Sequence, residues 1–213
     1  MLFFELRMWI ILTILGLISA FIAIYSYKKY SQVFFIFKPL TTILIIAIAS
    51  LSGLDNSYSL AIFIGLIFSL LGDIFLVFKS KFIWGLISFL IAHIVYTKAF
   101  YSGFSGLGIF IALPLLIYAA IMLFQLWSGA GKLKIPILIY ISAILLMTYQ
   151  SAEMFLAFKQ TGTILAFVGA LFFTFSDSVL AINRFKKEFK GAQVLTLSSY
   201  YLAQWLIASS TLY

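Results

Sequence analysis

Long apolar runs, each about as long as a bilayer is thick, follow one another with only short polar connections along almost the whole chain. Of the 213 residues, 64% are hydrophobic and 9% are charged, whereas soluble domains average roughly 25% charged residues. A helix needs about 20 apolar residues to cross the hydrocarbon core, so the chain has room for about eight crossings and no separate soluble domain. We therefore predict an all-α fold: one polytopic membrane bundle over residues 1–213 with about eight transmembrane helices.

Charged and turn residues divide the sequence into eight apolar segments. The predicted crossings are residues 8–27, 34–54, 58–78, 82–100, 104–127, 135–158, 161–183 and 193–213. The second is the weakest because Lys38 and Pro39 lie near its start, but proline is tolerated in a first helical turn and a lysine side chain can extend to the interface. The first run is long enough to span, so we expect it to remain in the mature protein. Continuous apolar runs exclude a transmembrane barrel, whose strands alternate.

The basic residues are concentrated in alternate loops. Eleven of the 14 follow the odd-numbered predicted helices: Lys28, Lys29, Lys38, Lys79, Lys81, Lys132, Lys134, Arg184, Lys186, Lys187 and Lys190. Cytoplasmic loops are enriched in Lys and Arg, so this bias predicts that both termini lie outside the cytoplasm. The same scatter argues against nucleic acid as a partner despite a net charge of +8. We expect a multi-pass protein of the bacterial inner membrane.

Ionisable side chains are costly inside a bilayer and usually mark function. The predicted crossings contain Asp73, His93, Glu153 and Asp177. Asp73 and Asp177 precede the cytosolic ends of their helices by five and six residues, so both carboxylates should lie about 8 to 9 Å inside the cytosolic boundary. His93 and Gln204 should lie deeper, near the midplane. Glu153 falls near the outer end of its helix, where an interfacial or helix-pairing role is the better interpretation.

A single intramembrane aspartate is as often a structural partner as a functional one, but two at one depth favour function. His93 has no second histidine or cysteine nearby in the sequence, so a zinc site would have to take Asp73 and Asp177 as ligands. We expect neither a metal nor a cofactor. The dipeptide Ala92-His93 follows Asp73 as Ala203-Gln204 follows Asp177, which hints at two parallel four-helix halves.

Several short motifs, in order from the second helix to the eighth, point to one family. They are Lys38-Pro39, FSLLGDIFL at 68–76, AHIVY at 92–96, FSDSVLAINRF at 175–185 and YYLAQ at 200–204. Together they resemble the lysoplasmalogenase family, also called YhhN-like. The first and fifth helices and the region of Glu153 carry no motif of the family.

The resemblance implies a membrane hydrolase that cleaves the vinyl ether of a lysoplasmalogen to a fatty aldehyde and a glycerophospho head group. Protonating the vinyl ether makes an oxocarbenium ion, a problem that glycosidases solve with two carboxylates. By analogy, Asp73 and Asp177 would be the catalytic pair, with their individual roles left open. Substrate would be bound by His93, Tyr96, Tyr200 and Gln204 within the membrane and by Arg184 at the phosphate, in a site toward the cytosolic side.

Two other functions remain open on the residues alone. Buried carboxylates and a histidine also form proton relays, so a proton-coupled or lipid transporter is the main alternative. The third possibility is a structural or signalling membrane protein with an inert polar cluster. For the hydrolase, we expect that replacing either aspartate by asparagine relieves like-charge repulsion and does not greatly destabilise the bundle.

Overall fold

The computed structural model describes residues 3–27, 31–103 and 108–213, with the side chains of Ser31 and Lys79 excepted. Eight long helices make up most of this part of the chain. They are α1 (Phe3–Ser26), α2 (Ser31–Ser50), α3 (Ser57–Val77), α4 (Phe82–Phe100), α5 (Gly108–Leu126), α6 (Lys134–Phe158), α7 (Thr161–Ala181) and α8 (Ala192–Ser209). The predicted all-α architecture is confirmed; the predicted start of the fifth crossing at 104 lies outside the described residues.

Seven of these helices are long and apolar enough to cross a membrane. The remaining one, α8, is shorter and more polar because most of its side chains are buried against other helices. Its polar residues Thr196, Ser199 and Gln204 are all buried. An interior helix need not present an apolar surface to lipid, so the polarity of α8 is compatible with a central position in a membrane bundle.

The helices form a ring that brings the first half of the chain against the second. The ring runs α2, α3, α4, α6, α7 and α8, and α8 packs back against α2. The helix α1 packs on α2 and α8 from outside, and α5 packs on α6. Each half therefore packs in chain order, and its fourth helix meets the second helix of the other half. This repeated order supports the division into two four-helix halves.

Glycines let the helices that carry the two aspartates approach their neighbours closely. A Cβ on Gly72, next to Asp73, would lie 2.6 Å from the ring of Phe89 in α4. A Cβ on Gly169 in α7 would lie 3.0 Å from the backbone oxygen of Ala203 in α8. Real Cβ atoms do not sit so close, so small residues at these positions permit the tight α3–α4 and α7–α8 pairs.

Local signals explain where several helices begin and end. The side chain of Asn56 accepts a hydrogen bond from the backbone N–H of Ser59 at 2.7 Å, which caps α3. Lys159 adopts a left-handed backbone conformation with φ of 50° and ends α6. The sequence predicts that Pro39 lies in the first turn of the second helix. In the structure α2 begins earlier, so Pro39 lies inside the helix, directly after Lys38. That extra turn places Lys38 within the helix rather than in the preceding loop.

The orientation of the bundle is a prediction that a fusion experiment tests. Because the basic loops follow the odd-numbered helices, Tyr213 should lie outside the cytoplasm. Alkaline phosphatase, which is active only outside the cytoplasm, should be active when fused after Tyr213 and inactive when fused in the loop after Ala130. The reverse pattern would overturn the orientation.

Candidate active site

Asp73 lies at the centre of a buried hydrogen-bonded group between α2, α3 and α8. Its Oδ2 atom accepts hydrogen bonds from Thr42 Oγ1 at 2.5 Å and from Tyr200 OH at 2.7 Å. The Lys38 Nζ atom lies 3.4 Å from Asp73 Oδ1 and donates to the backbone oxygen of Asp73 at 3.3 Å. The side chains of Lys38 and Asp73 are 6% and 1% exposed. Asp73 is therefore half of a buried ion pair.

The placement of Lys38 differs most from what the sequence predicted for the surroundings of Asp73. We counted it among the basic residues of a cytosolic loop and expected its side chain to extend to the interface. Instead its ammonium group points inward from α2 to the carboxylate of Asp73. A buried carboxylate attracts a cation strongly in a medium of low dielectric constant, and that attraction outweighs access to the interface.

Asp177 has different surroundings, between α4, α6 and α7. Its Oδ2 atom accepts a hydrogen bond from Tyr140 OH at 2.6 Å, and His93 Nε2 lies 3.7 Å away. No Lys or Arg of the described chain forms an ion pair with it. The two aspartates therefore occupy equivalent positions. Each aspartate contacts the second helix of its own half of the chain and the fourth helix of the other half. They differ in charge, because only Asp73 has a lysine partner.

Aromatic rings connect the two aspartate groups. The ring centroid of Phe173 lies 4.7 Å from that of His93 and 5.6 Å from that of Tyr200. His93 contacts Asp177, and Tyr200 bonds Asp73, so Phe173 touches one partner of each carboxylate. Both groups thus belong to one cluster, in which the side chain of Asp73 is 1% exposed and that of Asp177 is 12% exposed.

Three polar groups in this cluster are buried without a hydrogen-bond partner. They are both ring nitrogens of His93 and the amide nitrogen of Gln204. Gln204 does accept a hydrogen bond from Tyr96 OH at 2.9 Å through its Oε1 atom. Buried polar groups rarely remain unsatisfied in proteins, so these atoms mark places where water or a substrate oxygen would bind.

An apolar pocket leads to Asp177. It contains about 610 Å³ of empty space, part of it open to the surroundings, and is formed by α4, α5, α6 and α7. Its few polar groups come from Tyr118, Tyr140, Thr174, Asp177 and Ser178. The lining matches that of sites for hydrophobic small molecules, which combine an apolar wall with a few placed polar groups. Among the described residues that line the pocket, Asp177 is the acidic one.

Comparison with known proteins assigns this architecture to a family. A sequence model described as the YhhN family matches residues 33–211, which include α3 to α8, all of α2 except its first two residues, and every residue of the two aspartate groups. The chain belongs to the YhhN family. It is 27% identical over 188 residues to the uncharacterized membrane protein YhhN of Escherichia coli O157:H7, covering 87% of this chain and 90% of that protein.

Named enzymes are also among the relatives of this YhhN-family protein. Human lysoplasmalogenase TMEM86A is 35% identical over 162 residues, which are 70% of this chain and 64% of the human protein. Human lysoplasmalogenase TMEM86B is 34% identical over 151 residues, covering 69% and 61% of the two chains. No solved structure matches the chain. The family suggested by the sequence motifs is confirmed.

At the C-terminal end of α7, the rim of the Asp177 pocket has a different arrangement from the one we expected for Arg184. A five-residue π-helix, Ile182–Lys186, follows α7. Arg184 stacks on the ring of Phe82, 4.8 Å from its centroid, and Lys186 donates to Gln125 Oε1 at 2.7 Å. Phe82 and Phe185 line the pocket. Arg184 therefore lies at the rim through its contact with Phe82 and does not itself line the pocket.

The sequence analysis missed three residues that bond the aspartates or their neighbours in the YhhN-family protein: Thr42, Tyr140 and Tyr118. Tyr118 in α5 pairs with Ser178 at 2.5 Å, one residue from Asp177. A threonine or tyrosine in an apolar helix is too common to stand out. Tyr140 follows Pro136 by four residues and Thr42 follows Pro39 by three, so the spacing in the two helices does not match and gave no signal for either residue.

Glu153 is fully buried in α6. The interfacial alternative that we considered for this residue is therefore wrong, and the helix-pairing alternative remains. A Cβ on Gly108, at the start of α5, would lie 3.0 Å from Glu153 Oε1, so the carboxylate faces that helix.

The expectation that the protein needs no metal remains a prediction. No group of three or more His, Cys, Asp or Glu side chains able to hold an ion occurs among the described residues. A catalytic zinc site needs three protein ligands and an open position. We expect activity of the purified protein to be unchanged after dialysis against a chelator. Loss of activity that zinc restores would instead show that a metal takes part.

Proposed function

We propose that this YhhN-family protein is a membrane hydrolase that cleaves the vinyl ether bond of lysoplasmalogens to a fatty aldehyde and a glycerophospho head group. The observation that carries the proposal is the placement of a carboxyl group, Asp177, whose side chain is 12% exposed, in the lining of an apolar pocket. The relationship to lysoplasmalogenases at 34 to 35% identity supports the same substrate. An apolar pocket suits the long chain of such a lipid, and a carboxyl group suits its acid-labile bond.

Asp177 is the proposed proton donor. It has no lysine or arginine partner and its carboxyl group reaches the pocket, which suits a group that must carry a proton to an apolar substrate. The proton moves from Asp177 to the carbon of the vinyl ether that is remote from oxygen, and the C=C electrons form the new C–H bond. The product is an oxocarbenium ion beside a carboxylate, and this opposite charge stabilises it.

Water completes the reaction. A water molecule attacks the oxocarbenium carbon, and its proton returns to the Asp177 carboxylate, so the acid is restored and a hemiacetal is formed. His93 lies 3.7 Å from Asp177 with both ring nitrogens unpartnered, and we assign it the positioning of this water. Moving the hydroxyl proton of the hemiacetal to the ether oxygen releases the aldehyde and the glycerol hydroxyl.

Asp73 is the second carboxylate of the proposed pair. Its ion pair with Lys38 and its bonds from Thr42 and Tyr200 suit a group that stays ionised. We assign it no contact with substrate. Its role is to hold Tyr200, and through the ring of Phe173 the His93 side chain, in the geometry that water attack requires.

The pocket also determines the orientation in which the substrate binds. Its lining includes Leu126, Ala181 and Phe185 at the loop end of the bundle, where Lys81, Arg184 and Lys186 also lie. By the loop charges this end is cytosolic. A phosphate bound near Arg184 would leave the vinyl ether near Asp177 and the chain among the apolar residues of α5 and α6. Headgroup binding would require Arg184 to leave the ring of Phe82.

The transporter alternative predicts a different result in a simple assay. Purified full-length protein in detergent micelles has no second compartment, so a transporter cannot act there, whereas a hydrolase releases aldehyde from a lysoplasmalogen. We expect aldehyde to accumulate with the vinyl ether substrate and not with its saturated ether analogue. Movement of the lipid across proteoliposomes, without aldehyde in either preparation, would favour transport.

A further inference from the structure

A second groove lies on the side of the bundle away from the Asp177 pocket. It is formed by α1, α2 and α8, contains about 1060 Å³ of space including its open side, and is lined almost entirely by apolar residues. It extends along α1 from Leu12 to Ile24, a length of about 18 Å at 1.5 Å per residue. One leaflet of hydrocarbon core is about 15 Å thick, so the groove has the length of a single lipid chain.

The groove is the structural counterpart of the Asp177 pocket. In the repeated packing order, α1, α2 and α8 correspond to α5, α6 and α4, and those three helices line the Asp177 pocket. No carboxylate or imidazole is among the described residues that line the groove. Its polar side chains include Thr13, which accepts a hydrogen bond from Trp205 at 3.0 Å. The groove can hold a chain but has no group to cleave it.

At its cytosolic end the apolar groove continues into a polar pocket. Ile24 lines both spaces, and the walls of both are formed by α1 and α8. The polar pocket contains about 1140 Å³ of space including its open side, and Asn183, Glu188, Lys190 and Gln193 line it. The apolar groove is as long as one leaflet and ends in a pocket with one acidic and one basic side chain. This distribution of apolar and charged groups matches that of a zwitterionic phospholipid.

We propose that this continuous groove is a second, non-hydrolytic lipid site that binds a phosphoethanolamine phospholipid of the surrounding bilayer. One chain lies along α1, the phosphate pairs with Lys190, and the ammonium group pairs with Glu188. The outer lip of the groove is formed by Leu17 and Phe21, which are 66% and 71% exposed. The groove is thus open sideways to lipid, and the second chain stays in the bilayer.

Gly16 provides a direct test because it lines the groove and a Cβ built there meets nothing within 4 Å. The Cβ atom of a phenylalanine at this position displaces no neighbour, and its ring should extend into the groove and occupy part of it. The matched control is Ile14→Phe, on the same helix, where the side chain is 52% exposed and does not line the groove. Lys190→Gln removes the phosphate partner without touching the groove or the Asp177 group.

The measurement is photocrosslinking of the full-length protein in phosphatidylcholine nanodiscs that contain a small fraction of phosphatidylethanolamine with a diazirine in one chain. We expect label on α1 and α8 that excess unlabelled phosphatidylethanolamine displaces. Gly16→Phe should lower that displaceable label at least fivefold, Ile14→Phe should leave it within a factor of two, and Lys190→Gln should lower it at least threefold. An analogue with a phosphoglycerol head group should label at least threefold less.

Two outcomes would overturn the proposal. Label of α1 and α8 that unlabelled lipid does not displace would show only bulk lipid around the bundle. Equal displaceable label in wild type and Gly16→Phe would show that the chain binds elsewhere. Aldehyde release from lysoplasmalogen is measured separately on the same samples, so failure of the lipid site and failure of the hydrolase proposal are distinguishable.

Discussion

Asp177→Asn should lower the turnover number for aldehyde release by about 10²- to 10⁴-fold, the usual contribution of a general acid. Asparagine keeps the shape and can still accept the hydrogen bond that Tyr140 donates to Asp177 at 2.6 Å, but it has no proton to give. The protein should remain folded because Asp177 has no lysine or arginine partner to leave unpaired. The measurement is steady-state aldehyde release by purified protein, with its thermal unfolding recorded in the same detergent.

The matched control is Asp55→Asn. Asp55 is exposed in the connection between α2 and α3, so the same chemical change there should leave turnover within a factor of two. A change of KM alone in Asp177→Asn would assign Asp177 to substrate binding and not to the chemical step. Turnover of Asp177→Asn within a few-fold of wild type, with folded protein, would remove Asp177 from the mechanism.

The ion pair of Lys38 and Asp73 should give a large and non-additive effect on stability. Removing one partner of a buried ion pair leaves an uncompensated charge and typically costs about 3–5 kcal/mol, whereas replacing both is often neutral. We expect Lys38→Met and Asp73→Asn each to destabilise the protein by about that amount, and Lys38→Met/Asp73→Asn to unfold within about 1 kcal/mol of wild type. Reversible unfolding in mixed micelles measures the three values.

This prediction replaces the sequence-based expectation that neither aspartate substitution would greatly destabilise the bundle. That expectation considered only repulsion between the carboxylates, and the structure adds the ammonium group of Lys38 at 3.4 Å from Asp73. Additive losses in the double variant would contradict a direct ion pair. The double variant also separates stability from function: if it is as stable as wild type but releases aldehyde at least 10-fold more slowly, the pair positions the catalytic residues.

The positions of Asp73 and Asp177 were accessible from the sequence because charge is rare inside apolar helices and therefore conspicuous. Helix geometry predicts an equal depth for the two residues, and the order of motifs indicated the family. The residues that contact each aspartate could not be predicted from the sequence, because these contacts depend on how six helices close into a ring. Lys38 shows most clearly what the sequence does not determine. A lysine near the start of a helix can extend to the membrane interface or point into the bundle, and the position of Asp73 determines which of the two occurs.

The difference between the two aspartates was also invisible in the sequence. Both follow a small residue in a helix that the loop charges predict to run toward the cytosol, and the sequence therefore predicts two interchangeable members of a pair. The structure gives Asp73 a lysine and two hydroxyl donors, and gives Asp177 a tyrosine, a histidine and a pocket. That asymmetry comes from α2 and α6, because α2 supplies Lys38 and Thr42 to Asp73 and α6 supplies Tyr140 to Asp177.

Deuterium labelling of the product tests the proposed vinyl ether hydrolysis most directly. When the purified full-length protein acts on a lysoplasmalogen in D₂O and the aldehyde is reduced at once to the alcohol, protonation by Asp177 places one deuterium on the carbon next to the former aldehyde carbon. We predict singly labelled product in wild type and, in Asp177→Asn, the same product formed about 10²- to 10⁴-fold more slowly. Aldehyde without this deuterium, or no aldehyde from wild type in detergent, would contradict the proposed function.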